Sequence, residues 1–116
     1  MKFLTALLAT FALSVTQPAY AQVYTQQEIN YLQAMELQNN VDMTPSLIQE
    51  TLPYAHMVCD LYRQGYSYSE AGRYSSSLEY NALRTLNLTD KQMYYAAEVF
   101  GTSFYYASEV LCPDVR

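Results

Sequence analysis

His56 is the only histidine in the 116-residue chain, and Asp60 follows it at a spacing that stacks two side chains on one helix face. A carboxylate that orients an imidazole is half of a general acid–base relay, so catalysis would have to start from this pair. The other half is missing. There is no Gly-x-Ser-x-Gly elbow to supply a nucleophile and no helical His-Glu-x-x-His to hold zinc. Gln49, His56, Asp60 and Arg63 also fall together opposite the apolar stripe of their helix, which reads as an ordinary solvated face. An enzyme using His56 and Asp60 is therefore the weakest functional reading, and a non-catalytic role is expected.

Tyrosine is the second resource: the chain has thirteen, and no tryptophan. Tyr62 and Tyr74 fall at core positions of their helices, whereas Tyr94, Glu98, Gly101, Tyr105 and Glu109 share one face of the last helix and Tyr66 and Tyr68 cluster before the third. A ring with a hydroxyl suits an interface that is dry on one side and wet on the other. Two readings follow. The leading one is a surface for a protein or an envelope component, built on Tyr94, Glu98, Tyr105 and Glu109 with Tyr66 and Tyr68. The alternative is a carrier for a small ligand, such as haem gripped by tyrosine and His56 or another hydrophobic molecule. The ordinary structural reading is that tyrosine replaces other aromatics in half-buried packing. No spacing singles out a cofactor or a metal, so none is expected.

The cysteines come next. Cys59 and Cys112 are the only two, too far apart for a redox Cys-x-x-Cys and too few, with one histidine, for a four-ligand zinc site. Lys2, the apolar run Phe3 to Val15 and the small-x-small triplet Ala19-Tyr20-Ala21 read as an export signal, and export permits disulfides. A Cys59–Cys112 bridge is the natural pairing. Residues 1–21 are thus expected to be removed, leaving 22–116 as one domain, exported to the periplasm or the exterior and soluble. The apolar run is shorter than the roughly 20 residues of a spanning helix, so no membrane insertion is expected after cleavage. No cysteine adjoins the cleavage point, so no lipid anchor is expected either. Losing Lys2 leaves five basic residues against eleven acidic, a formal charge of −6; nucleic acid would need a clustered basic face and is excluded as a partner.

The elements that must position these residues are helical. Capping boxes stand at Thr25/Glu28, Ser67/Glu70 and Thr89/Gln92, and Thr44-Pro45 is a fourth helix start. The first helix has an apolar side of Ile29, Leu32, Met35 and Leu37 and ends near Asn39-Asn40. Pro53 should divide the next segment into a short helix from Pro45 to Thr51 and a longer one from Pro53 to Gln64, with Ala55, Val58, Cys59 and Tyr62 inward and Gly65 as terminator. In the third helix Ala71, Tyr74, Leu78, Ala82 and Leu86 make the core face, and Gly72 with Ser75-Ser76-Ser77 predicts a bend or break. The last helix runs from Asp90 to about Leu111 on a stripe of Met93, Ala96, Ala97, Phe100, Phe104, Ala107, Ser108 and Leu111 that Cys112 continues. No segment alternates with period two. The expected fold is all-α, a small bundle of four to five helices stapled by one disulfide between the central and C-terminal helices.

Val58-Cys59-x-Leu61-x-x-Gly65-x-Ser67, followed by Ala107-x-x-x-Leu111-Cys112-Pro113, resembles the signature of a domain-of-unknown-function family best known from small secreted mycobacterial and other actinobacterial proteins. The resemblance covers roughly residues 53–113. Leu111 stands where members often carry an aromatic residue, and Tyr74 to Tyr80 is longer and richer in serine than usual. The resemblance implies export, a helical fold and a disulfide, and it implies no activity.

Overall fold

The structure is a computed structural model that describes residues 23–115; the expected export signal and its cleavage point lie outside the described residues. Four α-helices follow one another, α1 (Gln26–Asn39), α2 (Pro45–Arg63), α3 (Tyr68–Leu83) and α4 (Asp90–Tyr106), and α4 runs on into a π-helical turn at Ala107–Leu111 and a 3-10 turn at Pro113–Val115. No strand occurs among the described residues. All three capping boxes form. The Thr25 hydroxyl accepts the Glu28 amide at 3.1 Å while the Thr25 amide donates to Glu28 Oε1 at 2.9 Å, and Ser67/Glu70 and Thr89/Gln92 repeat the pattern. Thr44 caps α2 with Pro45 in its first turn, where a missing amide costs nothing. Asn40 (φ 54°) and Gly65 (φ 98°) take the left-handed conformations that end α1 and redirect the chain after α2.

α4 and its π turn are the middle of the fold, packed on both α1 and α2, while α3 closes the side between α2 and α4. The core joins Tyr31, Leu32 and Met35 of α1, the run from Ile48 to Tyr62 on α2, Ala71 of α3, and Val99, Ala107, Leu111 and Cys112. The Cys59–Cys112 disulfide, with Cα atoms 6.1 Å apart, joins α2 to the segment after the π turn and spans 53 residues.

Two expected interruptions are absent. α2 is continuous through Pro53, whose ring is exposed, so the Gln49 carbonyl that loses its partner lies on the wet side. Buried Ile48, Thr51, Leu52 and Ala55 hold both halves on the same core. α3 is likewise unbroken across Gly72 and the serines, because Gly72 lies against the Phe104 ring and Ser75 is buried. That contact turns α3 away from its expected orientation. Ala71, Ser75 and Leu83 are inside, whereas Tyr74, Leu78, Ala82 and Leu86 are exposed. On α1, Leu37 is 86% exposed and Tyr31, unremarked in the sequence, is fully buried.

α4 keeps part of its expected stripe. Its buried residues, Val99 and Ser103, lie beside that stripe rather than in it, while Met93, Ala96, Phe100 and Phe104 are half-buried and Ala97 is exposed. It also stops being α-helical sooner than expected. The Cys112 amide reaches the Ala107 carbonyl at 2.8 Å, five residues back, and this widened turn brings Ala107, Ser108, Leu111 and Cys112 all into the core.

Candidate functional site

The His56–Asp60 relay does not form. His56 Nε2 lies 2.7 Å from Glu28 Oε2, and Asp60 Oδ1 accepts from Arg63 at 3.2 Å. Glu28 is already engaged as the cap of α1. Its carboxyl is opposed by partial burial yet held below the ordinary range by the Thr25 amide and by His56. The imidazole thus ties α2 to the start of α1. Beside it, His56, Asp60, Tyr66 and Tyr74 line an open cleft of about 480 Å³. No local pattern signals this pairing, since 28 residues separate the partners.

The tyrosine-rich surface divides. Glu98 and Tyr105 meet Tyr95, Tyr106, Gly101 and Thr102 of α4 and Gln38 and Asn39 of α1 around a groove of about 560 Å³. Tyr106 stacks edge-on to Tyr105 with centroids 5.1 Å apart and donates from its hydroxyl to Gln38 Oε1 at 3.3 Å. The Asn39 amide donates to Thr102 Oγ1 at 3.1 Å and to the Met35 carbonyl at 2.9 Å. These links hold the two walls together. Tyr94 is 68% exposed and Glu109 is exposed, both on α4 and its continuation but outside the groove lining. Tyr66 belongs to the cleft beside His56, and Tyr68 packs edge-on to Phe104 at 5.2 Å.

Gly101 lies within the groove. It is exposed, and a methyl group added there would meet nothing within 4 Å. A helix-interior glycine costs up to about 1 kcal/mol relative to alanine, and here no packing contact requires it. Gly101→Ala is therefore expected to raise stability by about 0.5–1 kcal/mol in urea unfolding. A destabilised variant would show that the backbone at this position needs glycine.

A third feature arises from the stripe that the sequence placed in the core. Leu78, Ala82 and Leu83 of α3 face Pro53, Tyr54 and Met57 of α2 across a hollow of about 340 Å³. A second hollow of about 210 Å³ adjoins it through the shared side chains Leu83 and Phe100 and is bordered by Leu47, Leu86, Leu88 and Ala96. Together they make an open apolar trough, with Leu78 44% and Leu86 55% exposed. Tyr54 meets Phe100 edge-on at 4.9 Å, and its phenol is raised well above its ordinary range, first by burial and then by the nearby Glu79.

Glu79 is the polar exception in the first hollow. It is half-buried, and burial pushes its carboxyl up to about 7. Nothing in the sequence distinguishes it from other helical glutamates, because its burial depends on how α3 docks. Relative to the value of 4.5 expected without burial, the folded state holds a proton that the unfolded chain has released. The stabilising contribution is fully present below that value and is lost as pH rises through about 7. Wild type should thus lose more stability than Glu79→Gln between pH 5 and pH 8, read from urea midpoints. Equal losses would show that the carboxyl titrates normally.

Comparison with known proteins adds no assignment: no family model, no curated protein and no solved structure matches the chain.

Proposed function

We propose that the chain is an exported, non-catalytic helical binding domain that engages a protein or envelope component through the tyrosine-lined groove between α1 and α4. The observation that carries this reading is Gly101, a costly residue in mid-helix that leaves the groove open between Tyr95 and Tyr105. Exposed rings at Tyr95 and Tyr105, a carboxylate at Glu98 and the Gln38 amide offer the mixed surface typical of recognition sites. The His56 and Asp60 contacts described above account for both side chains without a reaction.

Export to the periplasm or the exterior rests on the signal-like residues 1–21, and a disulfide fits an oxidising compartment. No helix of the described residues is long and apolar enough to cross a membrane. Membership of the small secreted actinobacterial family rests on the residues around Cys59 and Cys112 that carry the resemblance.

The test is site-specific photo-crosslinking in the producing cell, with a benzophenone side chain at Tyr105 or, as a control outside the groove, at Arg73. A discrete adduct from Tyr105 alone, abolished by Gly101→Leu in a protein that still folds, is expected. Identical products from both positions, or an adduct indifferent to Gly101→Leu, would refute the groove. A second reading, a carrier for a small apolar ligand, is favoured by the trough between α2, α3 and α4.

A further inference from the structure

We propose that the trough between α2, α3 and α4 binds a small amphiphilic cation, its apolar body lying on Leu83 and Phe100 and a primary ammonium group seated against the Glu79 carboxylate. This rests on the carrier reading and names the class of ligand. Three observations converge on it.

First, the trough is built from side chains that folding would ordinarily bury. Leu78, Ala82 and Leu86 sit at helical spacing like a core stripe, yet they form the open lip. Exposed apolar area of this kind in a groove is characteristic of a binding surface.

Second, Glu79 is the one carboxylate of the first hollow, and neither hollow is lined by a cation. Glu79 takes part in neither ion pair found among the described residues, which are His56–Glu28 and Arg63–Asp60. Of the groups facing it, α2 contributes the Tyr54 phenol, α4 contributes Phe100, and the α3 neighbours Leu78, Ala82 and Leu83 carry no charge. At the far end the second hollow adds Glu50 and Tyr95 and again no positive group. A half-desolvated carboxylate is costly when unpaired and favourable against an ammonium that comes with its own apolar body.

Third, the two hollows meet through Leu83 and Phe100, so the acid stands at one end of a continuous apolar surface rather than in an isolated pit. This arrangement selects polarity as well as size. A neutral alcohol would leave the carboxylate unpaired, and a fatty acid would oppose it with a second negative charge.

Burial supports the same conclusion through pH. Only ionised Glu79 attracts the ammonium, and its carboxyl titrates near 7, while an alkylammonium group, like that of lysine, stays protonated well above that. Apparent affinity is reduced by the fraction of protein in the competent state, so binding should be about 30-fold weaker at pH 5.5 than at pH 8.

Isothermal titration of the exported protein with dodecylammonium chloride, kept below its micelle concentration, tests this beside dodecanol and dodecanoate. Dodecylammonium should bind more tightly than either, with the stated pH dependence. Glu79→Gln should abolish both the preference and the pH dependence while dodecanol binding is unchanged, and Ala82→Trp, at an exposed position, should block all binding by filling the trough. Equal affinity for dodecylammonium and dodecanol would overturn the cation assignment and leave the carrier reading standing. Absence of binding by any of the three would overturn both. A pH dependence that survives Glu79→Gln would also overturn the assignment.

Discussion

Replacing Cys59 and Cys112 together by alanine will lower the unfolding free energy by about 4 kcal/mol, the loop-closure entropy expected for a bridge that spans 53 residues. Small domains have total stabilities of about 5–15 kcal/mol, so this one change removes a large share. The mechanism predicts where the effect should appear. Cys59 and Cys112 are both almost completely buried, at 1% exposure, and alanine is small enough to keep α2 and the π turn in place. The native spectrum should therefore survive while the urea midpoint falls. The double variant and the wild type under reducing conditions should unfold alike, since both lack the same constraint. If the midpoint moves by less than about 1 kcal/mol equivalent, α1, α2 and α4 must already hold the C-terminal segment, and the bridge would be a redundant tie.

That bridge was legible in the sequence because cysteine count, signal-like leader and two inward stripes all pointed to it. The helix starts were legible for a related reason: a capping box is a local event, complete within four residues, and Thr25, Ser67 and Thr89 each satisfied their own amides. Interruptions were misread because they are decided non-locally. Pro53 and the Gly72 to Ser77 stretch are poor helix material in isolation, but both segments are fastened along their length, α2 by the core run from Ile48 to Tyr62 and α3 by Ala71, Ser75 and Leu83. Propensity loses to packing of that extent.

The orientation of α3 was misread for a different reason. Hydrophobic periodicity assumes that apolar residues face inward. Here Ala71, Gly72 and Ser75, all small, give α3 its close approach to Phe104 and the core, and the larger Leu78 and Leu86 are left at the rim. The trough is thus the direct consequence of a helix docked through its small residues. Glu79, one position along from Leu78, is carried by the same rotation to the edge of the apolar surface. Neither feature follows from composition, because each depends on which of two adjacent helix faces wins the contact with α4. The groove between α1 and α4 was more accessible: Glu98, Gly101 and Tyr105 fall on one face by simple spacing, although the contribution of Gln38 and Asn39 required the three-dimensional pairing.

Tyr31→Ala is expected to be the most damaging single substitution, costing about 3–5 kcal/mol as a large ring is removed from a fully buried site. Tyr31→Phe separates the ring from its hydroxyl. The phenol and the Ser103 hydroxyl bond to each other, and whichever does not donate in that bond donates to the Thr51 carbonyl, which lies 3.3 Å and 3.4 Å from the two, so one polar knot joins α1, α2 and α4 in the core. Removing the phenol oxygen leaves Ser103 short of a partner and should cost about 1–2 kcal/mol. Adding Ser103→Ala to Tyr31→Phe should then cost less than it does in the wild type, because the hydroxyl being removed has already lost its neighbour. Burial also pushes the Tyr31 phenol up to about 12, so Tyr31→Phe should delete a late component from the alkaline absorbance titration of the tyrosines. The consequence reaches the surface. α1 and α4 are linked by Tyr31 and Ser103 inside and by Asn39–Thr102 and Gln38–Tyr106 at the groove wall, and the inner link is expected to set the spacing that the outer ones need. A Tyr31→Phe protein that folds but has lost the Tyr105 crosslink would place the origin of the groove in this buried knot. One that keeps the crosslink at full yield would show that the Asn39–Thr102 and Gln38–Tyr106 bonds hold the walls without it.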